Sequence, residues 1–436
     1  MGTGDRDPAR RGPGTSFDRS ACRTATGTGS GRGRSGHPPA SRPRGAHPDR
    51  TGLRDGDVPA GAAVNTPGES WTEVRFRSDP GVVGRVLVDE VAPVLLARAS
   101  EDGGPVDGGE WLWLRGLGGD RDPEVSVQIR EPPTASPGRP SLAAELAAAL
   151  RGCGASRGVP VHTGPARRVP LAGSVFSGPG LPQATRTVLA TVTPALLAVA
   201  DAGRAGRARL LGGALDLALA HLPALGPSSV PNLDRATERL RGAPIAFLSL
   251  RSHAEAFLAT SRDPAASRAA FDTRYEAVRD QIEMRVREVV HQATGGQERG
   301  GPAARWARAM RLARPIVEHQ VREGTIWLVD ESTADRARGD RPPSGGGTAG
   351  WPGGREDLGA ASAFHRAVEA DTDLLRYLRA DPGFLAVRVL TSLLYLGLHN
   401  LGLSLVERYF LCHAVSRACE AVYQVDALDV LGGIAG

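Results

Sequence analysis

TSLLYLGLHNLGLSLVERYFLCHAVSRACEAVY, residues 391–423, reads as a helix that is apolar on most sides. With Arg388 in front of it, Ser392, Tyr395 and His399 fall at i, i+4, i+7 and i+11, one face of a 3.6-residue period. Leucine fills most of the remaining positions, and a helix apolar on most faces is buried. A buried arginine, serine, tyrosine and histidine must find partners or line a cavity. Two readings stand at this point. The stripe is either a satisfied polar network in the core or a pocket wall carrying acid–base groups.

Working outward, the 436 residues and their 41% apolar content can fill a sizeable core. All 53 basic residues are arginine, because the chain contains no lysine. That absence excludes a Schiff-base or pyridoxal-phosphate enzyme and a Walker A phosphate loop, each of which needs a lysine amine. The formal net charge of +5 is spread thinly apart from an arginine-rich N-terminus. There is no helix-turn-helix signature, and 5% aromatic content offers little stacking surface, so no nucleic-acid partner is expected.

Cys22, Cys153, Cys412 and Cys419 form no C-x-x-C pair and follow no signal peptide. A reduced cytoplasmic setting is expected. No run is read as a membrane span, so no membrane partner is expected. G-x-S-x-G, H-E-x-x-H, an EF-hand loop and metal-ligand Cys/His spacings are all missing, which leaves hydrolase and metalloenzyme readings unsupported. His413 reads as a surface or core histidine rather than a ligand.

Residues 1–68 are rich in Gly, Pro, Ser, Thr and Arg and poor in large apolar side chains, the composition of a disordered extension. Order is expected from Trp71, with a single body over residues 69–436. WTEVRFR alternates as a strand, residues 82–99 repeat as an amphipathic helix, and EWLWLRGL and EVSVQIRE pair as a hairpin. A short helix follows at 142–151. Beyond residue 183 the pattern predicts helices over 184–203, 205–223, 231–241, 253–260, 264–292, 303–322, 361–380 and 383–423. One apolar strand, PIAFLSL (244–250), interrupts them. Pro- and Gly-rich segments near 132–140, 294–302 and 339–354 read as flexible loops. The expected class is therefore α+β, a strand–helix–hairpin sheet unit packed with a predominantly helical C-terminal part.

A second constellation, Ser249-Leu-Arg-Ser-His-Ala-Glu255, sits where that strand would pass into a helix. Ser252 and Glu255 have capping-box spacing. Arg251 and His253 would then lie beside a helix N-terminus, where anions bind.

Three segments in order resemble the family of thiopeptide-type bacteriocin biosynthesis proteins, related to the C-terminal elimination domain of LanB-type lantibiotic dehydratases. They are WTEVRFRSDPGVVGRVLVDEVAPVLLARA with WLWLR, FLSLRSHAEAFL with DPAASRAAFDTRYEAV, and TSLLYLGLHNLGLSLVER. The resemblance covers residues 71–423. At its second hairpin strand the family's Pro-His-Leu-Arg-Leu-Arg pattern is replaced by Pro123-Glu-Val-Ser-Val-Gln-Ile-Arg130. In the third segment Tyr395 stands where the family has histidine, and His399-Asn400 where it has Asn-Arg.

The resemblance implies an enzyme of lyase or cyclase type that tailors a ribosomally made precursor peptide and needs no cofactor. In the stand-alone pyridine synthases two dehydroalanines of a thiazole-bearing precursor join in a formal [4+2] aza-cycloaddition, with loss of water and the leader peptide. The alternatives are glutamate elimination in a split LanB-type dehydratase and a non-catalytic leader-binding partner. By analogy Ser392, Tyr395, His399 and His253 would be catalytic or orienting groups. Arg251, Arg388, Asn400, Arg130 and Arg115 would hold the substrate. The resemblance also places the leader on the unit from Trp71 to Arg130, where Trp111 and Trp113 could meet it or belong to the core.

Overall fold

In the computed structural model, which describes residues 71–101, 110–116, 123–130, 140–152, 160–167, 169, 176–226, 240–295, 300–329 and 362–434, the run WTEVRFR forms β1, Trp71–Arg77. Helix α1 starts as Val83–Val86, widens through a π turn at Leu87–Val91 and continues as Ala92–Glu101. Strands β2 (Trp111–Arg115) and β3 (Glu124–Arg130), helix α2 (Leu142–Gly152) and strand β4 (His162–Pro165) follow. The strands make one antiparallel sheet in the order β2-β3-β1-β4. β4 is an addition to the expected unit, since HTGP has no alternation to announce it.

Strand alternation sorts the sheet into two faces. Val74, Val127 and Trp113 share one cross-strand row, and Thr72, Ile129 and Trp111 the next. The opposite face is closed as well, apolar at Leu112 and Leu114 of β2 and polar on β1 and β3. Glu73, only 3% exposed, accepts from Ser126 Oγ and from Arg167 Nε at 3.1 Å. Gln128 accepts from Arg186 Nε at 3.1 Å and donates to the Arg167 carbonyl at 2.9 Å. Glu73, Ser126 and Gln128 are each answered, which is the condition for burying them, while the buried Trp71 indole nitrogen on that face has no hydrogen-bond partner.

A two-residue strand β5 (Phe176–Ser177) precedes the long helices α3 (Gly180–Ala202) and α4 (Arg207–Ala224). Then come α5 (Ala246–Ala259), α6 (Pro264–Glu276), α7 (Arg279–Gly295) and α8 (Pro302–Arg322). β6 (Trp327–Leu328) pairs antiparallel with β5. The chain closes with α9 (Ala363–Ala370), α10 (Thr372–Ala380), α11 (Pro382–Asn400), α12 (Leu405–Tyr423) and α13 (Ala427–Ile434). The fold is α+β, with the sheet in the N-terminal part and helices beyond it, and Ala63–Gly436 forms one unit. The expected arm at 1–68, the helix over 231–241 and the loop at 339–354 lie outside the described residues.

Three expectations are corrected. PIAFLSL is not a strand: α5 begins at Ala246, and Ala246 to Leu250 are buried one after another. An element buried on all sides has no periodicity to distinguish strand from helix. Ser252 and Glu255 are consequently in mid-helix and form no capping box. Second, the helices expected over 264–292, 361–380 and 383–423 are each two helices. The Gly402 amide donates to the His399 carbonyl at 2.8 Å and the Leu403 amide to the Leu398 carbonyl at 3.2 Å, a Schellman closure of α11. Gly402 has φ +82°, and a Cβ there would run into the Arg115 guanidinium. Ser404 then opens α12 with a capping box to Glu407. Third, two helices, Gly180–Ala205 and Pro382–Asn400, are long and apolar enough to cross a membrane, and the second is sunk in the helical core.

The end of α11 seals the sheet. Asn400 Nδ2 donates to the Trp113 carbonyl at 2.8 Å, and its Oδ1 accepts from the Arg115 amide at 3.2 Å. The side-chain amide thus pairs the outer edge of β2 as a neighbouring strand would. The Trp113 indole donates to the Asn400 carbonyl at 3.4 Å. Asn400→Ala removes a partner from the buried Trp113 carbonyl and from the half-buried Arg115 amide. Its expected cost is about 2–4 kcal/mol, to be read as a lower urea midpoint at unchanged m-value; a midpoint equal to wild type would remove the sealing role.

Candidate functional site

The polar stripe of α11 lies on the one side of that helix that is not fully buried. Between Gly383 and Asn400 the half-buried positions are Arg388, Ser392 and Tyr395, and every other residue is buried. α5 and α12 face this stripe, and α9 packs on α5. Tyr395 is the centre of the cluster. The His253 ring stacks on it with centroids 5.7 Å apart and planes 12° apart. Arg408 of α12 lies 4.8 Å over the same ring, a cation–π contact made with the arginine only 8% exposed. Tyr409 packs at 5.0 Å and is itself stacked on Phe257 at 4.4 Å.

The charge states follow from this packing. The Tyr395 hydroxyl is buried without a well-formed hydrogen bond. Burial, and then Tyr409 beside it, raise its pKa well above the phenol range. Burial, with the charges of Arg388 and His365 added to it, pushes His253 down to about 4. At neutral pH the stack therefore holds a protonated phenol and an uncharged imidazole. The phenol is thus a firm donor and the imidazole ring able to accept.

α5 carries a second layer. Glu255, 3% exposed, receives Arg268 Nη1 at 2.8 Å and Nη2 at 2.5 Å, Arg251 Nη2 at 3.1 Å and Ser362 Oγ at 3.2 Å. Burial opposes its charge, but the Arg268 and Arg251 guanidinia outweigh it and hold the carboxyl below the usual range. Arg251 also lies 3.6 Å from Glu420. Ser252 Oγ is 3.2 Å from His365 Nε2.

The residues picked out in the sequence thus separate. His253, Arg388, Ser392 and Tyr395 come together, with Arg388 donating to the Leu378 carbonyl at 3.4 Å and lying 5.4 Å over Phe176, while Arg251 belongs to the Glu255 ion network. Ser392 Oγ donates back to the Arg388 carbonyl at 3.0 Å. His399, Asn400 and Arg115 belong to the sheet edge instead. His399 Nε2 lies 3.3 Å from the Gly116 carbonyl, and Arg115 donates to the Pro80 carbonyl at 2.9 Å. Arg130 pairs with Glu110 at 2.8 Å on the sheet. Trp111 and Trp113 are 2% and 1% exposed, so both are core and neither presents a ring to a peptide.

Several residues escaped sequence reading. Ser362, His365, Arg408 and Tyr409 reach the cluster from α9 and α12. His221 is wholly buried between Trp306 Nε1, which donates to its Nδ1 at 3.4 Å, and Thr391 Oγ1 at 3.3 Å from its Nε2. The indole can only donate, so the network assigns the ring proton to Nε2. Burial pushes this histidine down to about 3. Cys412 and Cys419 are buried thiols, and burial raises Cys412 to about 12. Among the described residues no three His, Cys, Asp or Glu side chains gather as a metal site.

No protein-family model and no curated protein matches this sequence. Solved structures do match. TsrL aligns with a TM-score of 0.63 at 22% identity, over 84% of this chain and 99% of that one. The pyridine synthase TbtD, from thiomuracin biosynthesis, aligns with a TM-score of 0.53 at 20% identity, over 82% and 99%. The chain has the fold of the pyridine synthase TbtD. The three sequence segments that suggested this resemblance hold β1, α1 and β2, then α5 and α6, then α11 and the start of α12. The second and third of them build the Tyr395 cluster.

Proposed function

We propose that the protein tailors a thiopeptide precursor, joining two dehydroalanines in a formal [4+2] aza-cycloaddition and releasing water and the leader peptide as a pyridine forms. The observation that carries this reading is the uncharged His253–Tyr395 stack, held under Arg408 in the fold of a pyridine synthase. The reaction needs the amide between the reacting alkenes in its imidic tautomer, which a neutral acceptor and a neutral donor promote without a charged intermediate. Tyr395 is assigned the donor role, His253 the acceptor, and Arg388 and Ser392 the neighbouring peptide carbonyls. Elimination of glutamate is the weaker reading, because Arg251, its natural carboxylate holder, already faces Glu255 and Glu420. The precursor peptide is the partner, and its leader is assigned to the N-terminal sheet unit.

The test is mass spectrometry of the protein with a leader-bearing peptide containing thiazoles and two dehydroalanines. The expected products are the pyridine macrocycle and the freed leader. Tyr395→Phe, which keeps the ring stack, is expected to slow turnover by roughly 10²-fold. Peptide returned unchanged by the wild-type protein would sink the reaction, and a Tyr395→Phe variant as fast as wild type would remove the donor role.

A further inference from the structure

We infer that the first turn of α9 is the positioning element of this site: Ser362 and His365 clamp α5 at Glu255 and Ser252 and thereby set His253 against Tyr395. The inference rests on the reading just given for that site. Ser252 and Glu255 stand three residues apart on α5, and Ser362 and His365 three apart at the start of α9. The two pairs meet one to one, Ser362 Oγ to Glu255 Oε2 at 3.2 Å and His365 Nε2 to Ser252 Oγ at 3.2 Å. Residues spaced by three share a helix face, so two such contacts fix rotation as well as distance. Ser362 is wholly buried and also caps α9, accepting the His365 amide at 3.4 Å. One hydroxyl thereby ties the clamp to the helix that carries it.

His253 lies between the two clamped residues in the chain. Facing it are Arg388 and Tyr395 from α11 and His365 from α9, while Arg408 and Tyr409 of α12 back the Tyr395 ring; Arg251 and Glu255, two positions away on its own helix, pair with each other. His365 is placed where its charge disfavours a proton on His253. The clamp therefore sets the ring and adds to what burial and Arg388 do to keep it uncharged. Ser252 and Glu255, whose spacing suggested a helix cap, are its receiving half.

The experiment is an NMR titration of ¹⁵N-histidine-labelled full-length protein, with the His253 signal assigned by its loss in His253→Gln. In His365→Gln the His253 midpoint is expected to rise by about half a unit or more from its depressed position, since one opposing charge is gone. Ser252→Ala, the smaller change, frees His365 from its place and is expected to move the midpoint the same way. A side chain that merely filled space would leave the titration where it was. A His253 midpoint unmoved in both variants, each folded by circular dichroism, overturns the clamp. Turnover of the precursor peptide separates this outcome from the reaction itself. With the reaction intact, His365→Gln lowers kcat roughly tenfold to a hundredfold with KM held within about twofold. A shifted midpoint in a protein that leaves the peptide unchanged supports the clamp and refutes the cycloaddition.

Discussion

Glu255→Ala is expected to cost about 3–5 kcal/mol of stability, the range for removing one member of a buried ion network. The carboxylate is almost fully enclosed and answers Arg251, Arg268 and Ser362 together. Its removal leaves Arg251, already short of partners at Nε and Nη1, facing only Glu420 from 3.6 Å. A guanidinium cannot shed its proton to escape the penalty. Urea unfolding would show a lower midpoint at unchanged slope. Glu255→Gln, which keeps the shape and one acceptor, should lose less. Equal midpoints for Glu255→Ala and wild type would mean that the network contributes nothing net.

Acid should destabilise this protein early. His221, His253 and His413 are pushed down to about 3, 4 and 4, in each case by burial first. For His413 the Arg251 charge adds to burial, and Asp272 at 3.1 Å pulls the other way. An unfolded chain takes up these protons near the ordinary value of about 6.5, whereas the native protein refuses them until well below it. Stability is therefore full above that value and drains as the pH falls from it towards 4. If all three sites titrate together the slope reaches about 4 kcal/mol per pH unit. Asp216, Asp381 and Glu420, whose carboxyls burial raises, favour the native state as acid is added and soften the loss at the low end. Urea midpoints measured from pH 7 to pH 4 would test this, and a flat profile between pH 6.5 and pH 5 would contradict it.

How much of this was legible in the sequence depended on whether an element had two different sides. β1 has a mixed burial pattern, and α1 buries Val83, Val86, Leu87 and Val91 while exposing Arg85 and Asp89, so both periods were plain. α5 enters the core with five consecutive buried residues, and nothing in PIAFLSL marks the helix. The break at Gly402 had a signal that went unused, a glycine followed by Ser404-x-x-Glu407. The stripe on α11 was legible because spacing along one helix is a property of the chain itself. Its partners were not, since Ser252 meets His365 across 113 positions and Trp306 meets His221 across 85. The same limit misdirected His399 and Asn400, whose place on the stripe concealed a bond to a strand more than 280 residues earlier.

That bond gives the molecule a lever. Tyr395 and Asn400 stand on one unbroken helix, roughly 7.5 Å apart along its axis at the α-helical rise. The far end of that helix is fastened to β2 by both halves of a side-chain amide. A helix resists bending far more than a loop does, so a tug on the sheet edge cannot be absorbed before it reaches the phenol. Any displacement of β2 is therefore felt at Tyr395.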